Sequence, residues 1–264
     1  MIDTLPFYCA SGHEQQSFRA AHESHLPLML TGPTGCGKTR LVEHMAAALD
    51  QPLVTVTCHD DLSSADLVGR FLVRGGDVEW IDGPLTSAVR RGAICYLDEI
   101  VEARRDTLAV LHSLTDHRRT LYLDRNSETL QAPAKFMLVC SYNPSSRSAL
   151  KELKPSFRQR FVTVDLDYLA ADEEASVVSA ETGASQELAR SLVELGNALR
   201  LATDGGVYEA PSTRSLVIAA KLMASGLDKR EAVGAAVLAP LVSGGPMDDG
   251  LREILEAAIS AETS

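Results

Sequence analysis

The chain has 264 residues, of which 45% are hydrophobic, and a formal net charge of −11 from 25 Lys plus Arg against 36 Asp plus Glu. That length and apolar fraction give room for one large domain with a small appendage, and they exclude a disordered composition. The acidic balance removes any global attraction to nucleic acid or to an anionic membrane surface, so neither is expected as a partner.

In chain order, short apolar runs rich in β-formers alternate with helical patterns over the first two-thirds. This predicts an α/β layer fold built on a parallel five-stranded sheet. The core strands are read at Leu26–Thr31, Leu53–Thr57, Ile94–Leu97, Phe136–Ser141 and Val162–Asp165, with a helix over Leu41–Leu49 running on from a glycine-rich turn. Two stretches interrupt the alternation. Around Arg74-Gly75-Gly76-Asp77 a turn signal separates Phe71-Leu72-Val73 from Val78-Glu79-Trp80-Ile81, predicting a β-hairpin over about 69–83. A second hairpin is read over about 120–134, turning at Asp124-Arg125-Asn126-Ser127. Trp80 is read as an anchor of the first hairpin in preference to a pore-facing contact.

From Tyr168 onward Ala, Leu and Glu replace the β-formers. Leu188, Leu192, Leu195, Leu199 and Ala202 fall on one helical face, and Asp228 followed by Glu231 marks a further helix start. The chain is therefore divided into an α/β core, 1–167, carrying both hairpins, and a helical subdomain, 168–264.

Gly32-Pro33-Thr34-Gly35-Cys36-Gly37-Lys38-Thr39 matches G-x-x-x-x-G-K-[ST] between a strand and a helix, the context a phosphate loop requires. Gly35 and Gly37 let the backbone close around phosphates, and its N–H groups with the helix N-terminus attract their charge. Lys38 is expected to reach the β- and γ-phosphates of ATP, and the Thr39 hydroxyl to bind Mg²⁺. The alternative, an accidental glycine-rich turn, leaves the strand, loop and helix order unexplained.

Downstream, the strand Ile94-Cys95-Tyr96-Leu97 delivers Asp98 and Glu99. Asp98 at a strand end can hold the metal's water shell, and Glu99 can polarise an attacking water. Taken alone, the pair could equally be a polar strand terminus. Asn143, after Phe136–Ser141 and before Pro144, is either a turn residue or a hydrogen-bond donor to the γ-phosphate or the lytic water. Arg158 and Arg160 could lie along a solvated edge with packed stems, or reach a neighbouring subunit's nucleotide as an arginine finger. Arg214, in Pro211-Ser212-Thr213-Arg214, opens a predicted helix from which it could sense the γ-phosphate.

The cysteines (Cys9, Cys36, Cys58, Cys95 and Cys140) are odd in number and form no C-x-x-C pair, which suits a reducing compartment. The first residues lack the basic and apolar regions of a secretory signal, and no run reaches the ~18 apolar residues of a membrane span. A cytoplasmic location is expected. No H-E-x-x-H or Cys/His ligand spacing occurs, and His59-Asp60-Asp61 is read as a loop whose carboxylates cap the next helix.

The ordered set of phosphate loop, Asp-Glu strand end, strand-terminal Asn, Arg-x-Arg and Ser-Thr-Arg resembles an AAA+ ATPase with a C-terminal helical lid. The two hairpins resemble the insertions of its MoxR branch. Cys58-His59-Asp60-Asp61-Leu62, Asp82-Gly83-Pro84-Leu85-Thr86, Ile94 to Glu99, Val101-Glu102-Ala103-Arg104 and Ser141-Tyr142-Asn143-Pro144 narrow the likeness to the CbbQ/NirQ/NorQ family. The likeness runs from about Phe7 to Leu241 and is strongest to the family's Rubisco-activase members.

The resemblance implies a homo-hexamer that works with a CbbO-like partner carrying a von Willebrand factor A domain. It implies ATP hydrolysis with Mg²⁺ that remodels Rubisco as client and releases inhibitory sugar phosphates. It places Gly32, Pro33, Thr34, Gly35, Cys36, Gly37, Lys38, Thr39, Asp98, Glu99, Asn143 and Arg214 on the family's nucleotide residues. Arg158 and Arg160 fall on its trans-acting segment, without a choice between them. A relative of the NorQ or NirQ type would instead assist maturation of nitric oxide reductase. Ser145-Ser146-Arg147 departs from the glycine-containing turn expected after Asn143-Pro144. Three further classes compete: a small-molecule kinase, a non-hydrolysing nucleotide-dependent scaffold, and a DNA-loading or transcription-activating motor. Arg158 and Arg160 weigh against the first, Glu99 against the second and the net charge against the third.

Overall fold

The computed structural model describes residues 5–144, 153–203 and 210–241. The Ser145-Ser146-Arg147 departure lies outside them. The chain divides into two compact units: the residues up to Leu166 form the first, except Thr34–Cys36, which group with those from Asp167 onward.

The first unit begins with α1 (Glu14–Glu23), β1 (Leu28–Thr31), α2 (Lys38–Ala48), β2 (Leu53–Thr57) and α3 (Ser64–Val68). The hairpin strands β3 (Gly69–Arg74) and β4 (Asp77–Asp82), α4 (Pro84–Arg91), β5 (Ile94–Asp98) and α5 (Arg105–Leu111) follow. A second hairpin of β6 (Thr120–Leu123) and β7 (Glu128–Gln131) precedes β8 (Met137–Tyr142), α6 (Pro155–Arg158) and β9 (Val162–Asp165). The sheet is five-stranded, in the order β2-β5-β8-β1-β9, and every pairing in it is parallel. β1, β5 and β8 are apolar and buried almost throughout, as central strands covered on both faces must be, whereas the edge strands β2 and β9 are partly exposed. Met29, Cys95, Leu97, Leu138 and Cys140 from these strands share one core with Leu67, Leu85, Val89 and Phe157.

The first strand is shorter than the sequence pattern suggests. His25 takes φ +57°, and the Leu26 N–H turns back to the Ala21 carbonyl at 2.9 Å, so Leu26 terminates α1 and is exposed. Phe136 likewise belongs to a turn, its N–H donating to the Pro133 carbonyl at 3.0 Å. The expectation for His59-Asp60-Asp61 needs correcting. Ser63 and Asp66 form the capping box of α3: the Asp66 N–H donates to Ser63 Oγ and the Ser63 N–H to the Asp66 carboxylate, each at 3.2 Å. This cap holds the Asp66 carboxyl below its ordinary range, chiefly through the Ser63 hydroxyl.

Gly83, which precedes Pro84 at the start of α4, is required by space: a Cβ there would come within 2.7 Å of the Asp66 carbonyl oxygen. In the first hairpin Trp80 lies edge-on to Phe71, centroids 5.2 Å apart, and donates from Nε1 to Asp82 at 2.7 Å. It packs against the core and anchors the hairpin. No described helix is long and apolar enough to cross a membrane.

The second unit contains α7 (Ala171–Thr182), α8 (Gln186–Thr203), α9 (Thr213–Ala224) and α10 (Lys229–Val233). A π-helical stretch (Gly234–Leu238) carries α10 into α11 (Ala239–Leu241). Leu192, Leu195 and Leu199 are buried against Val178, Leu216 and Val237, and Leu188 is partly buried beside them. Asp228 caps α10 by accepting from the Glu231 N–H. A buried ion pair crosses this unit. Arg200 forks onto Glu174 with two bonds of 2.7 Å, stacks over the Tyr168 ring at 3.8 Å and donates to the Pro211 carbonyl. Thr213 donates to the same Glu174 carboxylate at 2.6 Å, tying the start of α9 to α7.

Candidate functional site: a nucleotide and metal cradle

The sheet order decides what can meet. β8 lies between β1 and β5, so the C-terminal ends of these three strands stand side by side. Ligands of open parallel sheets bind at such strand ends. The phosphate loop leaves β1, Asp98 closes β5 and Asn143 follows β8.

In the loop, Gly32, Gly35 and Gly37 all have φ in the left-handed range, and Gly37, at φ +102°, is the cap from which α2 starts. A side chain is strained in that conformation, which explains the glycines at these positions. The Lys38 stem is buried, and its ammonium donates to the carbonyls of Gly32 and Pro33 at 2.8 and 2.9 Å. A buried cation is thus held against a glycine-rich turn that opens a helix of 11 residues, an arrangement built for anionic phosphates.

Asp98 is held from three sides. Its Oδ1 accepts from the Tyr96 hydroxyl at 2.8 Å, from the Ser141 hydroxyl, and from the Glu99 N–H at 3.2 Å. Its Oδ2 accepts no hydrogen bond among the described residues. Thr39 Oγ1 lies 3.4 Å from the Tyr96 hydroxyl, which places the two residues expected to hold a metal on either side of that phenol. One free carboxylate oxygen, one hydroxyl and a phosphate-binding loop form an all-oxygen, partly solvated donor set, the kind Mg²⁺ takes together with nucleotide phosphates. The residues therefore fit Mg²⁺ with ATP.

Glu99 has φ +53° and ψ +51°, left-handed for a residue with a side chain, and such strain gathers at functional sites. Burial raises its carboxyl pKa above the ordinary value and Asp98 adds to the rise. The Lys38 charge and a hydrogen bond from the Asn143 N–H oppose it. Lys38, Thr39, Asp98, Glu99 and Asn143 are thus brought together at one sheet edge.

The two arginines separate. Arg160 is half-buried and donates to the carbonyls of His112 at 2.9 Å and Ser156 at 3.1 Å, with Asp116 3.7 Å away. Arg158, the last residue of α6, is exposed, and its side chain makes no hydrogen bond or ion pair to any described residue. Arg214 is the second residue of α9 in the helical unit, with its side chain exposed.

Sequence reasoning missed Tyr96 and Ser141 at the site. Both stand two residues from a named position on strands that were read correctly, so alternation alone would have put them on the face of Asp98 and Asn143.

Residues 27–161 match the family model for the AAA domain of the dynein-related subfamily, and residues 174–258 match the CbbQ/NirQ/NorQ C-terminal model. The chain belongs to the CbbQ/NirQ/NorQ family. It is 54% identical over 241 residues to the denitrification regulatory protein NirQ of Pseudomonas aeruginosa, covering 91% of this chain and 93% of that protein. Identity to protein NorQ of Paracoccus denitrificans is 50% (96% and 93% covered) and to protein CbbQ of Hydrogenophilus thermoluteolus 46% (98% and 95% covered). A solved Cytophaga hutchinsonii structure superposes with a TM-score of 0.52 at 19% identity, covering 95% of this chain and 90% of that one. At that identity the likeness bears on fold alone. CbbQ/NirQ/NorQ membership makes this an AAA+ ATPase.

Proposed function

We propose that this CbbQ/NirQ/NorQ protein is the Mg²⁺-dependent ATP-hydrolysing subunit of a homo-hexameric motor. The convergence of Lys38, Thr39, Asp98, Glu99 and Asn143 carries the reading. A bound Mg²⁺ would neutralise charge on the β- and γ-phosphates, held by Thr39 and Asp98. Lys38 would bind the same phosphates once it exchanges the loop carbonyls for them. Glu99, aimed by its left-handed backbone and held by the Asn143 N–H, is placed to orient a water and take its proton. Its raised pKa makes it a better base than an exposed carboxylate. A pure nucleotide switch would need no such group.

The ring rests on Arg158. Arg160 is occupied within its own subunit, whereas Arg158 is exposed and available to a neighbour. We assign Arg158 as the residue that completes the next subunit's site, and Arg214 as a γ-phosphate sensor on the helical unit.

Partner and client are carried over from the family resemblance. A CbbO-like protein with a von Willebrand factor A domain is the proposed partner. We take nitric oxide reductase as the first candidate client and Rubisco as the second, the identities to two NirQ proteins (54% and 51%) and to CbbQ (46%) being similar. Both clients should be assayed with ATP and the partner present. Activation of nitric oxide reductase that vanishes with Glu99→Gln supports the first reading. Release of a tightly bound sugar phosphate from Rubisco under the same control would replace it with the second.

A further inference from the structure

The hydroxyls of Tyr96 and Ser141 reach the proposed metal ligands but have no part in the nucleotide reading above. Tyr96 is fully buried, yet its phenol ends among polar atoms: Asp98 Oδ1 at 2.8 Å, Ser141 Oγ at 3.0 Å and Thr39 Oγ1 at 3.4 Å. Ser141 is also fully buried, with its Oγ bonded to the same Asp98 oxygen.

Elementary bookkeeping assigns the protons. A carboxylate oxygen offers two lone pairs and a hydroxyl one proton. Tyr96 and Ser141 each donate to Oδ1, beside the longer bond from the Glu99 N–H, so every donor to this carboxylate among the described residues falls on Oδ1 and none on Oδ2. The Tyr96 oxygen then has a lone pair for the Thr39 hydroxyl. Thr39 would ligate a cation through an oxygen lone pair, leaving its proton for another acceptor, and the Tyr96 oxygen lies 3.4 Å from Thr39 Oγ1. At 3.4 Å this last contact is long for a bond between hydroxyls.

We infer that Tyr96 and Ser141 are positioning residues for Mg²⁺, orienting Asp98 and Thr39 so that the metal-holding oxygens are preset before nucleotide arrives. The inference rests on the Mg²⁺-ATP reading of the site. Residues supporting metal ligands from behind typically contribute about 10- to 100-fold to metal affinity.

The test titrates free Mg²⁺ against the affinity of a fluorescent ATP analogue, with Tyr96→Phe, Ser141→Ala and the rescue variant Ser141→Thr. Tyr96→Phe and Ser141→Ala are expected to raise the half-saturating Mg²⁺ about tenfold or more and to leave affinity without Mg²⁺ unchanged. Ser141→Thr should restore it, since it keeps the hydroxyl. A residue that merely fills space would lower thermal stability without moving the Mg²⁺ midpoint. Wild-type midpoints in both Tyr96→Phe and Ser141→Ala would overturn the inference while leaving the nucleotide site intact. Wild-type nucleotide binding that ignores Mg²⁺ would overturn the site reading itself, and the inference with it. Should Tyr96→Phe fail to fold, the pair Ser141→Ala and Ser141→Thr decides alone.

Discussion

Arg160 donates from its guanidinium to the main-chain carbonyl of His112 at 2.9 Å, bridging α6 and the end of α5. The same guanidinium holds the Ser156 carbonyl and lies near Asp116, so its fork is spent inside its own subunit. Arg158→Ala should then leave thermal stability unchanged and lower ATP turnover on the order of 10³-fold, with nucleotide binding kept. Arg160→Ala should instead lower the melting temperature, since it strips a donor from the partly buried His112 carbonyl, worth about 1 kcal/mol. Thermal melts and phosphate release on both variants check the division. Reversed results would exchange the two roles.

Glu99 carries a pH signature. Burial raises its carboxyl pKa, so the folded state disfavours the charged form relative to the unfolded chain. The penalty is absent at acid pH, where both states are protonated, and grows as pH rises through the raised value. Glu99→Gln, which cannot ionise, should melt above the wild type at pH 8. The gap should close as pH falls toward the ordinary carboxylate range. Turnover of the wild type should fall over the same acid range as the base is protonated. Melting curves and rates across pH, without added nucleotide for the melts, measure both.

In the helical unit, Glu174 is fully buried and Arg200 nearly so. Removing one partner of such a pair strands the other charge, at a cost of about 3–5 kcal/mol. Glu174→Ala should therefore lower the free energy of unfolding by about that amount, read as a lower denaturant midpoint at unchanged m. It should also loosen the start of α9, where Thr213 loses its acceptor. Hydrogen exchange at the first turn of α9 reads that second effect.

Arg90 on α4 binds Asp82 of the first hairpin at 2.8 Å and Glu128 of the second at 2.5 and 2.8 Å. These side chains are about a third exposed, so Arg90→Ala should cost about 1 kcal/mol or less per pair. Its larger effect should be on motion, with amide exchange rising in both hairpins together. A rise confined to one would show that Arg90 does not couple them.

The thiols divide by burial. Burial pushes Cys58 and Cys95 up to about 12 and Cys140 well above its usual value, so none forms thiolate at neutral pH. Alkylation of the native protein should stop at Cys9 and Cys36, which are half-buried. Because Cys36 lies in the phosphate loop, bound nucleotide should slow its labelling and spare that of Cys9. Mass spectrometry of labelled peptides resolves the two.

The sheet was legible because β-formers concentrate in runs as short as the strands they make, and a strand buried on both faces needs no partner to be recognised. The limits of β1 and β8 were less so. Leu26 and Phe136 are apolar like the residues that follow, and only the backbone bonds of Leu26 to Ala21 and Phe136 to Pro133 exclude them. Local motifs such as Gly32 to Thr39 carry their chemistry in consecutive residues and read directly. Contacts between residues far apart did not. Nothing near Glu174 announces Arg200, nor does anything near Arg90 announce Glu128. The choice between Arg158 and Arg160 depended on where the His112 carbonyl lies. The α3 cap was misplaced because Asp60 and Asp61 stand out by charge, whereas Ser63 and Asp66 have the capping-box spacing.

The central claim is that the cluster at the ends of β1, β5 and β8 hydrolyses ATP with Glu99 as its base. Phosphate release from Mg²⁺-ATP should be measured for the wild type and Glu99→Gln at saturating nucleotide, with nucleotide occupancy followed in the same samples. The account predicts steady turnover by the wild type and, in Glu99→Gln, full occupancy with turnover down about 10²-fold or more. Equal turnover by the two proteins would contradict it.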